Sequence, residues 1–434
     1  MSLTGRMLTP FDVKRRTEVV AGVTNFFTVS YILAVNPAIL ANDTTGMPFS
    51  GVATATVLVC FANTLLMGVY ARLPFTVAPG MGINAFFAYT VVARAGVAWP
   101  VALGIVFWAG VLFVVVSMTP LRVAIATAIP GHLRVAIAGG IGIFLAFIGL
   151  RNAGLVVADP ITFVRMGPID TQVLLSLLGL LSMAFLWIRK KSYAFIVGIV
   201  LVTTVAIVTG RTAPPEQLFA LPDFRSTLFA LDVWGALQLA LLPTLIAILF
   251  TDLFDSISTF IGVAHATGLT DERGQPVRLK EGLTVDAFAT LSAALFGSSS
   301  GTAYIESAAG IGVGGRSGLT SVVTALCFVP CLFIAPVLAL VPPAATAPVL
   351  LIVGAMMIQA LFSLKLEGFE ELFPVFLILV LIPFTFSITQ GILWGFISHT
   401  VLYGIAGRAK EVSKTMFGLA LSSVSLLLLE HFAK

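Results

Sequence analysis

The sequence predicts an all-α polytopic membrane protein, and three observations carry that reading. Of 434 residues, 58% are hydrophobic and 10% charged, against about 25% charged in an average soluble domain. Mean hydropathy is +1.06. Apolar runs near the length that crosses a bilayer, about 20 residues, recur from end to end. A chain this poor in polar surface is not a water-soluble enzyme, a nucleic-acid module or a secreted disulfide scaffold. The net charge of +4 comes from 24 scattered Lys and Arg, with no dense run for phosphates. Cys60, Cys327 and Cys331 sit in apolar stretches without the further ligands of a zinc site, and read as packing residues.

In chain order, residues 1–18 form a polar, basic tail (Arg6, Lys14, Arg15, Arg16) with no cleavage site after the first apolar run, so it reads as a cytoplasmic tail. Spans are then predicted at 19–40, 52–71, 99–119, 135–153, 172–188, 193–209, 236–264, 282–296, 318–341, 345–363, 372–387 and 389–406. Two more, 74–93 and 297–315, are apolar but dense in Gly, Pro and Ser. Together they make fourteen. With the N-terminus inside, eighteen Lys and Arg fall in inner loops and only Arg94, Arg151, Arg165, Arg211 and Arg225 in outer ones, Lys434 left out. That asymmetry follows the positive-inside rule. Residues 415–432 either cross once more or lie along the inner surface; the latter is favoured because they follow Arg408, Lys410 and Lys414. The divisions expected are the tail 1–18, a first seven-span repeat 19–210, an external loop 211–235, a second, inverted repeat 236–406, and a cytoplasmic or interfacial helix 407–434.

The repeat is visible in the polar residues. Asn84, in the interrupted segment 78–84, lies 222 positions before Glu306, in the interrupted segment 297–306. Asn25 lies 227 positions before Asp252. Seven spans per half is odd, so the halves have opposite orientation, as in many secondary transporters. Broken helices inside a bilayer leave backbone groups that protein, water or ligand must satisfy, and two half-helix ends facing each other give a polar spot in an apolar slab. Gly310, Gly312, Gly314 and Gly315 read instead as close-packing residues.

Ionisable groups inside spans mark sites or pathways. Asp252 and Asp255 are three apart and share a helix face that continues through Ser256 and Thr259; Glu306 follows the second break. No Lys or Arg lies in these segments. Asp286, close to the inner end of its span, is set aside, as are Asp232, Glu367, Glu370 and Glu371. Carboxylates, the Asn84 amide and nearby aromatics (Phe26, Phe27, Phe86, Phe87, Tyr304) describe a pocket for a flat ligand rich in N–H groups. An anion wants a positive pocket, and a bare metal ion more oxygen ligands in one place, so no metal site is expected.

The runs Ala21-Gly22…Thr24-Asn25-Phe26-Phe27-Thr28…Tyr31-Ile32…Val35-Asn36-Pro37, Ala78-Pro-Gly-Met-Gly-Ile-Asn-Ala-Phe-Phe87, Asp252-Leu-Phe-Asp255 and Thr302-Ala-Tyr-Ile-Glu-Ser-Ala-Ala-Gly-Ile311 resemble, in order, the hallmarks of AzgA-like purine permeases. These belong to the nucleobase–cation symporter family, with the uracil and xanthine permeases. The likeness runs from about Thr9 to Lys410. It implies two inverted seven-span repeats split into core and gate domains, short strands in the third and tenth spans, and proton-coupled uptake of adenine, guanine or hypoxanthine with no other cofactor. It implies that Asn84, Asp252 and Glu306 bind the base, that backbone around Phe86 and Ala303 lines the pocket, and that Asp255 or Glu306 serves the proton step. It also implies possible homodimerisation. Ser256, Ser258 and Asn25 depart from the family pattern by adding polar groups, with Asn25 a further candidate substrate contact.

A bacterial inner-membrane location with cytoplasmic termini is expected. The protein is expected not to be an enzyme: an intramembrane aspartyl protease brings two helices together at its dyad, whereas Asp252 and Asp255 share one. A uracil or xanthine permease is the nearest alternative, an anion transporter of the same fold a more distant one.

Overall fold

The structure, a computed structural model, describes residues 15–119, 129–214, 217–271 and 276–432. The expected tail up to Lys14, and Arg122 and Arg273 among the inner-loop cations, lie outside these.

The first apolar run is two helices, α1 (Arg15–Val29) and α2 (Ile32–Leu40). At the break, the Thr28 and Ser30 hydroxyls donate to the carbonyls of Thr24 (2.6 Å) and Phe27 (3.1 Å), an alternative to the backbone ladder that bends helices. α1 begins within the stretch read as tail, and Glu18 is buried. α3 (Phe49–Leu66) ends in a π turn, Met67–Ala71. The chain then runs extended into β1 (Val77–Ala78), turns at Pro79-Gly80 and starts α4 (Met81–Ala85), which continues as a wider π-helical stretch over Phe86–Arg94.

Three long helices follow the next turns: α5 (Trp99–Met118), α6 (Gly131–Asn152) and α7 (Thr171–Ile188), with α8 (Ala194–Val208) behind them. Between α6 and α7 lies a hairpin that hydropathy does not predict, β2 (Val156–Asp159) against β3 (Phe163–Met166).

The second half opens with α9 (Leu242–Thr267) and α10 (Leu279–Phe296). β4 (Thr302–Ala303) precedes α11 (Ser307–Val313) and α12 (Gly318–Phe328). Pro330 and Pro336 then divide the expected span 318–341 into α12, a 3-10 stretch Val329–Phe333 and the short α13 (Ala335–Leu338), because proline supplies no N–H to a helix interior. α14 (Pro343–Ile358), α15 (Phe369–Thr385), α16 (Ile388–Ile405) and α17 (Lys414–Phe432) complete the chain. Among the described residues seven helical stretches are long and apolar enough to cross a membrane; the other predicted spans are shorter, interrupted or more polar. α17 packs on α16 and α9 with Met416, Ala420, Ser423 and Leu426 buried, while Phe417, Leu421 and Leu428 are exposed.

The helices fall into two packing groups. α6, α7, α8, α14, α15 and α16 pack on one another; α1, α3, α5, α10, α11 and α12 form the other set, with α9 against α5 and α10. Each group draws helices from both halves of the sequence. Within the second group α1 and α12 are tied by Glu18, whose carboxylate accepts from the backbone N–H of Arg316 (3.0 Å) and Ser317 (3.1 Å) and from the Thr320 hydroxyl. It thereby satisfies the free donors at the start of α12. Glycine sets the closest approach: a Cβ on Gly318 would fall 1.9 Å from the Gly68 carbonyl oxygen, so α12 and the end of α3 touch through backbone.

Candidate functional site

The two interrupted segments meet. β1 and β4 pair antiparallel, with Val77 opposite Ala303 and Ala78 opposite Thr302. The pairing gives the extended backbone the partners it lacks between half-helices. Side chains hold it from both sides. The Thr64 hydroxyl lies 2.9 Å from both the Val77 carbonyl and the Val77 N–H, and Ser307 Oγ accepts from the Thr76 N–H at 3.0 Å. The Tyr304 hydroxyl donates to the Pro79 carbonyl.

Around this two-stranded bridge polar residues from both halves of the sequence converge. From α9, Asp252 is 1% exposed; its Oδ2 accepts from the Thr290 hydroxyl of α10, and its Oδ1 has no partner in the protein. One turn on, Ser256 Oγ sits within reach of the Asp252 carbonyl (2.7 Å) and of Asp286 Oδ2. Asp286 Oδ2 also accepts from Thr302 Oγ1 of β4 at 3.2 Å, and its Oδ1 is unpartnered. Asp255 is only partly buried and lies within electrostatic range of Glu306. Glu306 accepts at Oε1 from the Tyr31 hydroxyl, 2.8 Å away, at the break between α1 and α2. Asn84 on α4 accepts from the Ser299 hydroxyl and leaves Nδ2 unpartnered.

Most buried polar atoms in proteins are hydrogen-bonded, so free atoms clustered at one place are informative. Asn84 Nδ2, Asp252 Oδ1, Asp286 Oδ1 and Ser300 Oγ are such atoms, from α4, α9, α10 and the segment before β4. They offer acceptors from two carboxylates and a donor from an amide. No hydrogen bond or ion pair from Lys or Arg reaches Asp252, Asp255, Asp286 or Glu306 among the described residues, so the cluster is acidic and uncompensated.

The structure thus brings Asn84, Asp252, Asp255, Ala303 and Glu306 to one region, with Phe86 buried on the turn after Asn84. Asn25 has another setting. Its Oδ1 accepts from the Gly310 N–H (2.9 Å) and its Nδ2 donates to the Pro74 carbonyl (3.4 Å), so it joins α1 to α11 and to the strand leading into β1. Gly310 is required there, since a Cβ would lie 2.4 Å from Asn25 Oδ1. Among the aromatics, Phe27 is 39% exposed and faces away.

Of the acidic residues set aside from the sequence, Asp286 is the one that joins this region. It lies fully buried against Ser256 and Thr302, not at a solvated end of its span. Its neighbours come from α9 and β4, distant in sequence, and Lys280 and Glu281 nearby make the helix start look like a loop edge. The available signal is Thr290, one turn beyond, which with Asp286 makes a polar stripe on α10 facing that of α9.

A helical bundle that buries uncompensated carboxylates between two broken, strand-paired segments belongs to the class of multi-pass membrane permeases, and such a protein is a transporter rather than an enzyme. Within that class the chain belongs to the permease family Xan_ur_permease, which matches residues 16–394. It is 41% identical over 412 residues to the putative permease MJ0326 of Methanocaldococcus jannaschii, covering 94% of each chain. It is 39% identical to the adenine permease AdeP of Escherichia coli, over 94% of this chain and 91% of that one. It is 38% identical to the guanine/hypoxanthine permease PbuO of Bacillus subtilis, over 92% and 93%. Among solved structures, the transmembrane domain of the cyanobacterial bicarbonate transporter BicA superimposes with a TM-score of 0.67 at 19% identity, over 88% of this chain and 97% of that one. Murine Slc26a9, an anion transporter, does so with 0.63 at 10%, over 92% and 70%. At those identities the likeness is one of fold.

Proposed function

We propose that this protein imports purine nucleobases together with protons, by rocking one packing group of helices against the other. The observation that carries the reading is the seam at β1 and β4, where Asp252 Oδ1, Asp286 Oδ1 and Asn84 Nδ2 are buried without partners. A purine presents ring and exocyclic N–H donors beside ring acceptors. Asp252 accepts from the donors, Asn84 donates to a ring nitrogen or O6, and the β4 backbone at Ala303 and the Phe86 ring form walls. Asp252 and Glu306 thus take the base, with Asn25 holding α11 in place. The relatives' names, adenine permease and guanine/hypoxanthine permease, support a purine over uracil.

Coupling follows from charge. Four clustered carboxylates without a counter-charge repel one another, and a proton on Asp255, Glu306 or Asp286 relieves the repulsion. Whatever a proton adds to affinity for the base, the base adds to affinity for the proton. The acidic cluster also argues against an anion as substrate despite the fold shared with bicarbonate and other anion transporters, because an anion would be repelled by it.

We read the chain as fourteen crossings in two inverted halves, 19–210 and 236–406, joined by an external loop at 211–235. The antiparallel pairing of β1 with β4, one from each half, supports the inversion. The group α6–α8 with α14–α16 serves as gate and the other as core, with both termini cytoplasmic in a bacterial inner membrane and 407–434 on the inner surface. A homodimer through the gate group is compatible with its exposed apolar faces. The test is uptake of labelled adenine, hypoxanthine, guanine and uracil in cells lacking their own permeases, with and without a protonophore. Purine uptake abolished by the protonophore is expected. Uptake of uracil alone would move the substrate to a pyrimidine, protonophore-insensitive uptake would remove the proton, and no uptake of any base would overturn the reading.

A further inference from the structure

A second polar region lies away from the carboxylates. A cavity of about 610 Å³ opens at the end of α4's π-helical extension, lined by Tyr89, Ala93 and Arg94, by Arg151 at the end of α6, and by Phe384 to Phe386 at the end of α15. Its volume falls in the range of ligand cavities, about 300–1,000 Å³. Asn84, Tyr89 and Arg94 belong to one continuous helical run, with Arg94 ten residues beyond Asn84.

Its chemistry is the opposite of the acidic seam. No carboxylate lines it among the described residues. Arg94 donates one N–H to the Thr385 carbonyl, and Thr90 donates to that of Phe386, so both satisfy the free end of α15, where Phe386 takes a left-handed conformation with φ 52°. The Arg151 guanidinium lies 5.9 Å from the Tyr89 ring centroid. A guanidinium carries five donors and no acceptor, so both arginines keep N–H groups for a ligand while Phe384, largely exposed, offers a ring face.

We propose that this cavity is an outer subsite that receives the base before the carboxylates do, and that it selects 6-oxopurines (guanine, hypoxanthine) over adenine. The inference rests on the nucleobase-transport reading and deepens it. Donor-only arginines pair with the adjacent O6 and N7 acceptors of an oxopurine in its 9-H form, with the ring stacked on the exposed Phe384. Adenine sets an N6–H donor where O6 would be, so two donors face each other and the pairing is lost. The outer subsite therefore reads the acceptor edge of the base and the inner carboxylates its donor edge.

The test uses Ala93→Cys in the full-length protein in cells, labelled with a membrane-impermeant maleimide, the unsubstituted protein controlling for Cys60, Cys327 and Cys331. Hypoxanthine at twice its Kd slows labelling about threefold, and does so equally in an Asp252→Asn background. Adenine needs about ten times the concentration or more, and Arg151→Gln removes the difference between the two bases. Equal protection by adenine and hypoxanthine overturns the selectivity. Protection lost with Asp252→Asn, or no labelling from outside, overturns the subsite. Uptake is measured alongside: an absence of base uptake sinks the transport reading, while the labelling result judges the subsite separately.

Discussion

Replacing Asp252 by Asn removes one charge and alters one atom pair, and the surrounding hydrogen bonds set the size of the effect. Oδ2 is engaged by Thr290 and Oδ1 is free, so one charge-assisted bond to the base is at stake, about 1.5–3 kcal/mol. That corresponds to a Kd raised about 10- to 150-fold. Where the amide keeps its oxygen toward Thr290, its N–H groups meet the donors of the base and the loss lies at the upper end. Where the amide turns over, its oxygen faces the base and Thr290 can donate instead to the Gly301 carbonyl, 3.1 Å away, which gives the lower end. Thr290→Val removes the donor that anchors the amide oxygen in the first orientation, so the double variant moves toward the lower end. Binding is measured on purified protein in nanodiscs, beside a thermal melt. Stability stays equal or rises, since an unpaired buried carboxylate is costly to keep. A Kd within twofold of the unsubstituted protein, or a lowered melting point with binding intact, would refute the argument and make Asp252 a structural tie.

Further tests address the frame. Tyr31→Phe removes the donor 2.8 Å from Glu306 Oε1 and leaves a buried carboxylate oxygen unsatisfied; a loss of about 1–3 kcal/mol is expected in a thermal or denaturant titration. Gly318→Ala forces a Cβ to 1.9 Å from the Gly68 carbonyl oxygen and destabilises by at least about 1–3 kcal/mol. Gly312, read from the sequence as a close-packing residue, instead has open space where a Cβ would sit, with nothing within 4 Å; Gly312→Ala therefore gains about 0.4–1 kcal/mol by restricting the unfolded chain, and the two melts should move in opposite directions. Asp223 accepts from Ser226 Oγ (2.6 Å), Ser50 Oγ (2.7 Å) and the N–H groups of Arg225 and Ser226, which hold its carboxyl below the usual value of 3.8. A depressed folded value means that the stabilisation is present above the ordinary pKa and is lost as pH falls through the lower, folded one. Amide protection over 221–227, referred to the intrinsic exchange rate at the same pH, should therefore fall on acidification below about pH 4, and in Asp223→Asn it should already be low and vary little with this carboxyl's titration.

Hydropathy and the spacing of Gly, Pro and acidic residues are enough to place the chain in a membrane and to locate both broken segments. They also pick out Asn84, Asp252, Asp255 and Glu306. Those signals are local: a carboxylate within an apolar run is anomalous wherever the run packs, and Pro79-Gly80 interrupts a helix by its own covalent chemistry. The break at Ser30-Tyr31 carries no glycine or proline and reads as continuous helix, because it depends on hydroxyls bonding back to their own helix and on Glu306 receiving Tyr31. Asp286 escapes the sequence for a similar reason. Its place along α10 looks like an edge, and only the packing of α9 and β4 against that turn excludes water from it. Asn25 shows the converse: polar and well placed in the sequence, it joins two backbones where α1 meets α11. Sequence determined which residues are costly to bury. Tertiary structure decided which of them share a seam and which polar atoms are left for a ligand, because that depends on partners supplied by segments some 200 residues apart, as when Ser299 engages Asn84.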